Sequence, residues 1–245
     1  MMDANILIES LYLKTKDSAS NIIIKGIAAG AFIALGGILY AMIASMNTQS
    51  TLYKLAGSAA FSIGLILVIK LKAQLFTGNN LLFLNLFHKK NQSKEVLMNW
   101  LYIYFTNFIG AIILVFFISL LVQYIPGLNQ FLMSVATKKT SYPFEQAFFK
   151  AILCNILVCL GVLLGVSLKT NKMRILGIII PITLFVFLGF EHSIANMFFI
   201  PLGLILKGTN FIEFLPQFIN NLIPVTIGNI LGGLIVSIGI YKFVK

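Results

Sequence analysis

Glu191 and His192 stand side by side inside one long apolar stretch, and Thr77, Asn79 and Asn80 interrupt another. An ionisable side chain at membrane depth is costly and marks a functional place by default. Histidine exchanges protons near neutral pH, and hydroxyl and amide groups beside it can hold an anion by hydrogen bonding. The plainer alternative is a buried neutral histidine bonded to backbone or to the Asn/Thr groups, with Glu191 satisfying nearby amides. Neither reading is hydrolytic. A serine nucleophile would want a G-x-S-x-G-like turn, and a membrane metalloprotease would want H-E-x-x-H or H-x-x-E-H. The chain contains neither. Its other histidine, His88, falls in a charged loop and reads as solvated. Cys154 and Cys159, five residues apart in one segment, face different ways and read as packing residues rather than a disulfide or metal pair. No catalytic residue, metal or cofactor is expected.

The elements that position these groups are membrane spans. The chain has 245 residues, 59% of them hydrophobic and 10% charged, against about 25% charged in an ordinary soluble domain. Since a crossing helix needs roughly 20 apolar residues, six segments are expected: Ile22–Met46, Leu55–Phe87, Val96–Tyr124, Phe144–Leu168, Ile175–Leu206 and Phe218–Val244. The second is broken at Lys70–Asn80 and the fifth at Gly189–Asn196. Irregular backbone at that depth must be buried in protein or line a cavity, and two such breaks in corresponding places point to a transport site near the midplane. The fold class is therefore an all-α membrane protein with six transmembrane helices arranged as two inverted three-helix repeats, about 22–124 and 144–245. Small-residue motifs at Gly26/Gly30, Gly161/Gly165 and Gly228/Gly232 suit close helix packing in lipid. The half-helix ends at the breaks carry unsatisfied backbone groups and suit an anion.

Charge orients the bundle. With six alternating spans, Lys14, Lys16, Lys25, Lys89, Lys90, Lys94, Lys169, Lys172, Arg174, Lys242 and Lys245 fall on one side, and Lys54, Lys138, Lys139 and Lys207 on the other. The positive-inside preference then puts both termini in the cytoplasm. Topology accounts for most of the net charge of +11, so nucleic acid is not an expected partner. Residues 1–21 lack the pattern of a signal peptide and are expected to form a short interfacial helix. Residues 22–245 form one transmembrane domain in contact with membrane lipid.

Four ordered motifs carry a resemblance. Leu75-Phe76-Thr77-Gly78, Ala151 to Cys159, Gly189 to Met197 and Ile223 to Asn229 are similar to the formate/nitrite transporter family over nearly the whole chain. The resemblance implies an aquaporin-like fold in a homopentamer of a bacterial inner membrane, with one pore per protomer. It makes Thr77 the gating threonine and His192 the central histidine. It places Leu65, Leu75 and Phe76 in a cytoplasmic apolar ring and Phe61 and Phe185 in an outer one. Asn229 becomes the pore asparagine, and Lys139 the lysine near the outer vestibule. Gln74 departs from the family, which usually has an acid there; this suggests a branch such as the hydrosulfide channels. The expected function is channel-like passage of a small monovalent weak-acid anion (formate, nitrite or hydrosulfide). The alternative, an aquaporin-like channel for neutral solutes, would normally show Asn-Pro-Ala motifs, and Asn79-Asn80 and Ala195-Asn196 lack the proline.

Overall fold

The computed structural model describes residues 4–243, and every regular element among them is helical. In chain order these are α1 (Ala4–Thr15), α2 (Ala19–Met46), α3 (Thr51–Lys70), α4 (Phe76–Asn79), α5 (Phe83–Phe87), α6 (Ser93–Leu121), α7 (Leu128–Thr140), α8 (Phe144–Ser167), α9 (Asn171–Phe187), α10 (Ser193–Leu206) and α11 (Phe211–Phe243). Five of them, α2, α3, α6, α8 and α11, are long and apolar enough to cross a membrane. At 1.5 Å per residue the 20 residues of α3 span about 30 Å, the thickness of a hydrocarbon core, whereas the 14 of α10 reach only about 21 Å. The outward faces expose large apolar side chains such as Phe116, Phe117 and Ile180, a surface suited to lipid rather than water.

Local chemistry explains where the helices start. Ser18 caps α2 by accepting from the Asn21 N–H. Gln92 and Glu95 form a capping box that begins α6 at Ser93, ahead of its first apolar run. α11 starts at Phe211, before the expected Phe218, because Glu213, Pro216 and Gln217 lower the hydropathy of a turn that is nonetheless helical. α7 was not expected at all. It carries Lys138 and Lys139 and too few apolar residues to read as a span, yet it buries Leu128, Leu132 and Ala136 along one face packed against α10.

The N-terminal helix packs against the bundle. Leu7 and Leu11 of α1 are fully buried and belong to the same core as the spanning helices. His88 is half-buried, its ring packed edge-on against Tyr241 with centroids 5.2 Å apart. Helix contacts are close where glycine allows. A Cβ on Gly30 of α2 would collide with the backbone carbonyl of Asn107 on α6, and one on Gly228 of α11 would lie 2.5 Å from the Phe148 carbonyl oxygen on α8. Gly161, by contrast, meets its neighbours at an ordinary 3.4 Å.

Candidate functional site

Two non-helical passages meet in the interior. Residues 71–75 separate α3 from α4, and residues 188–192 separate α9 from α10. Across them Thr77 Oγ1 and His192 Nε2 lie 2.9 Å apart, both residues buried, though 115 positions apart in the chain. His192 is also the N-cap of α10: its Nδ1 accepts the backbone N–H of Ala195 at 3.1 Å. A backbone N–H can only donate, so Nδ1 is unprotonated and the ring proton sits on Nε2. Nε2–H therefore donates to Thr77 Oγ1, and the threonine keeps its own O–H free to donate elsewhere. The imidazole ring is stacked on Phe185, centroids 5.8 Å apart and planes at 16°.

The second passage is held by buried amides. Asn229 of α11 accepts the Ser193 N–H on Oδ1 at 2.9 Å and donates from Nδ2 to the carbonyls of Ala151 (2.9 Å) and Glu191 (3.0 Å). Both its amide hydrogens are thus committed to backbone, which makes it a positioning residue. Glu191 Oε1 accepts Lys139 Nζ at 2.8 Å, and Oε2 accepts Asn196 Nδ2 at 2.7 Å. Asn196 Nδ2 also reaches Asn221 Oδ1 at 2.7 Å, and Asn221 Nδ2 donates to the Lys139 carbonyl at 2.8 Å. Asn155 of α8 ties the two passages together, donating to the carbonyls of Thr77 (3.2 Å) and Asn229 (2.6 Å).

The first passage repeats this arrangement with other residues. Asn107 of α6 accepts the Phe76 N–H at 2.9 Å and donates to the carbonyls of Gly26 (2.8 Å) and Gln74 (2.9 Å). Gln74 Oε1 accepts from Asn79 (2.9 Å) and Asn99 (3.1 Å), as the Glu191 carboxylate accepts from Asn196 and Asn221. Asn99 donates to the Lys14 carbonyl at 3.4 Å, as Asn221 does to that of Lys139. The difference is electrostatic. Gln74 is neutral and donates to Asp17 Oδ2 at 2.8 Å, while Lys14 Nζ turns to Asn79 Oδ1 at 2.8 Å. Burial lowers the Lys14 ammonium from 10.5 to about 8, with Asp17 opposing that shift.

Sequence reasoning named none of Asn99, Asn107 and Asn221, and met Asn155 only inside the Ala151 to Cys159 motif, without a role. A signal was present: Asn99 and Asn107 are eight residues apart, as are Asn221 and Asn229. The helix-end expectation is also revised. The leading N–H groups at Phe76, Ser193 and Ala195 are taken by Asn107, Asn229 and His192, so these three donors are not open to an anion.

A cavity lies on each side of the Thr77–His192 pair. One, about 690 Å³, is lined by Lys14, Lys25, Leu65, Leu75, Gly78 and Arg174 among others, on the face where α1 sits. The other, about 420 Å³, opens at the far end of α2 and α3 and is lined by Lys54, Phe61, Lys139, Phe185 and His192 among others. Phe61 and Phe185 meet edge to face with centroids 5.7 Å apart. Phe61 and Leu65 are one turn apart on α3, about 6 Å along its axis. Phe76 is placed elsewhere, its ring 4.8 Å from that of Tyr104 and 6.4 Å from Trp100. Among the described residues no group of three His, Cys, Asp or Glu is placed to hold a metal ion.

A family profile described as formate/nitrite transporter matches residues 3–243. The chain belongs to the formate/nitrite transporter family. Within it, the chain is 37% identical to a probable formate transporter of Methanothermobacter thermautotrophicus, covering 94% of this chain and 91% of that one. It is 34% identical to the formate channel FocA of Escherichia coli (strain K12), covering 84% and 80%. Among solved structures, a pentameric formate channel with formate bound aligns at TM-score 0.79 and 33% identity over 92% of this chain and 96% of that one. An ion channel of the family aligns at TM-score 0.87 and 26% identity, covering 98% of each chain. This family member is a multi-pass membrane transport protein and not an enzyme.

Proposed function

We propose that the protein is a channel for a small monovalent weak-acid anion, with formate ahead of nitrite and hydrosulfide, working as a homopentamer with one pore per protomer. The observation that carries this reading is the buried Thr77 Oγ1–His192 Nε2 contact of 2.9 Å, set between apolar side chains with a cavity on either side. Similarity to a pentameric formate channel with formate bound supports the solute and the assembly. The matching hydrogen-bond clusters around Gln74 and Glu191 support six crossings in two inverted halves, with α3–α5 and α9–α10 as the interrupted members. The excess of Lys and Arg on the face of α1 supports cytoplasmic termini in a bacterial inner membrane.

The path runs from the far cavity past Phe61 and Phe185 to the Thr77–His192 pair, then past Leu65 and Leu75 to the cavity beneath α1. The apolar constrictions exclude hydrated ions, because a charge stripped of water there is heavily penalised. At the centre His192 donates to Thr77, and the polarised threonine O–H donates to the solute; such chained bonds strengthen one another. An imidazolium would set a second N–H against that of Ala195, so in this conformation His192 works through hydrogen bonding and not as the proton source. The Leu75-Phe76-Thr77 passage, leading into a helix of only four residues, is the movable gate.

Flux into proteoliposomes tests the assignment. Thr77→Ala removes a hydrogen bond to a charged solute, worth about 1.5–3 kcal/mol, and should slow formate roughly tenfold to hundredfold. His192→Asn keeps a capping oxygen but loses the reach of Nε2, and should slow it comparably. Unchanged rates in both variants would sink the assignment, and recovery of shrunken vesicles in glycerol but not in formate would hand the pore to neutral solutes.

A further inference from the structure

The cavity on the far face carries more positive charge than topology accounts for. Lys54 of α3, Lys138 and Lys139 of α7, and Lys150 of α8 all line it, and Glu191 is the one acid among its lining residues. Glu191 is already committed to Lys139 at 2.8 Å and to Asn196 at 2.7 Å. Among the described residues Lys54, Lys138 and Lys150 make no ion pair. On the opposite face Lys25 and Lys16 meet Asp17 and Glu95 at 2.7 and 2.6 Å, while among the described residues Lys14, Lys70, Lys72 and Arg174 line the other cavity without an ion pair. The preference for Lys and Arg on the cytoplasmic side explains the basic residues near α1 with no further role, but it works against lysines on the far side.

Lys150 is the least expected of them. It lies inside an apolar spanning helix and is half-buried. Its ammonium donates to the Gly189 carbonyl at 3.0 Å and lies 4.8 Å from the centroid of the Tyr142 ring. Neither contact neutralises its charge. A lysine in an apolar helix without a salt-bridge partner is costly and marks a site. Three elements thus each contribute a lysine without an ion pair to the lining of a cavity of about 420 Å³, a size at which small-molecule sites begin, about 300–1,000 Å³. A monovalent anion can neutralise only one of the three. An oxyanion with several charged oxygens can accept from all of them. It could not continue inward, because the cost of desolvating an ion rises steeply with its charge and the Phe61–Phe185 contact floors the cavity.

We propose that the far vestibule is a binding site for multivalent oxyanions of the phosphate or pyrophosphate type, held by Lys54, Lys138 and Lys150, and that an occupant plugs the pore from that face without crossing it. The binding stands by itself; the block rests on the channel reading above. The test is calorimetric titration of the purified full-length protein, in phosphatidylcholine nanodiscs, with inorganic pyrophosphate against sodium chloride of equal ionic strength. Saturable binding is expected, weakened at least tenfold in Lys150→Met and in Lys138→Met and retained in Lys150→Arg. Lys138 is exposed, so its variant keeps the test valid if Lys150→Met fails to fold. Pyrophosphate outside right-side-out vesicles should also lower formate entry in the wild type, and less so in Lys138→Met relative to that variant's own rate.

Absence of saturable binding, or binding equal in wild type and both Met variants, overturns the proposal. Loss of pyrophosphate binding in nanodiscs containing phosphatidate would assign the site to a lipid headgroup and overturn the free-anion form. Binding without formate flux would retain the site and sink the channel reading, whereas flux without binding would do the reverse.

Discussion

Around Glu191 a buried carboxylate meets Lys139 at 2.8 Å; around Gln74 a neutral amide takes the matching place, and Lys14 turns to the Asn79 carbonyl oxygen instead. The amide scaffold is otherwise the same, with Asn107 and Asn229 each clamping one N–H and two carbonyls. The comparison separates two jobs. Holding an irregular passage at membrane depth needs satisfied backbone groups, which neutral amides supply on both sides. Charge is a separate choice. Near the first passage the carboxylate belongs to Asp17, outside the passage, where it serves Gln74 at 2.8 Å and Lys25 at 2.7 Å. The first passage is thereby tied to the segment joining α1 and α2, and the second, through Lys139, to α7.

The comparison breaks first at the clamps. Asn107→Leu orphans the Phe76 N–H and the Gln74 carbonyl, and Asn229→Leu the Ser193 N–H and the Glu191 carbonyl, at about 1–3 kcal/mol per group, a large part of a typical stability of about 5–15 kcal/mol. Neither variant should elute as a folded oligomer in detergent. If one is tolerated and the other is not, the two clamps are not equivalent.

A smaller and unequal effect is expected from the two lysines. Lys139→Met leaves the buried Glu191 charge without its salt-bridge partner, at about 3–5 kcal/mol. Lys14→Met removes one charged hydrogen bond of about 1.5–3 kcal/mol and relieves some burial. The Lys14 contribution also depends on pH. Folded Lys14 gives up its proton near 8 and the unfolded residue near 10.5, so the unfolded state binds more protons between those values. Wild-type stability should therefore rise relative to Lys14→Met as pH climbs through that window. Denaturation at pH 7 and pH 9 would show it, and equal losses for the two lysine variants would erase the asymmetry.

The smallest effect belongs to Gln74→Glu. It sets a carboxylate beside Asp17 and Lys14 together, so repulsion and attraction largely offset, leaving about 1 kcal/mol of destabilisation. Asp17→Asn in the same chain should restore stability, with a coupling in the range of about 0.5–3 kcal/mol seen for contacting pairs. Additive losses would mean that Asp17 and Gln74 act independently.

The helical class and the five long apolar helices were legible because long apolar runs have few other homes. The amide clamps were not. A hydropathy profile registers Asn99, Asn107 and Asn221 as polar intrusions, and their partners lie 20 to 85 residues away in the chain. α7 was hidden for a different reason: its apolar stripe is narrow, and its value appears only when α10 covers it. Thr77 and His192 were singled out by type and position, but the direction of their hydrogen bond depends on the Ala195 N–H, which no side-chain pattern reveals.

Gly30 gives the molecule a blind spot of another kind. Its missing side chain is what lets α2 lie against the backbone of Asn107, the residue that clamps the first passage. By hydropathy, charge and helix propensity, alanine there would count as harmless or even as an improvement. In this bundle one added methyl group would be a wedge against the residue that clamps the first passage. The substitutions to fear most are therefore the ones that alter the chain least.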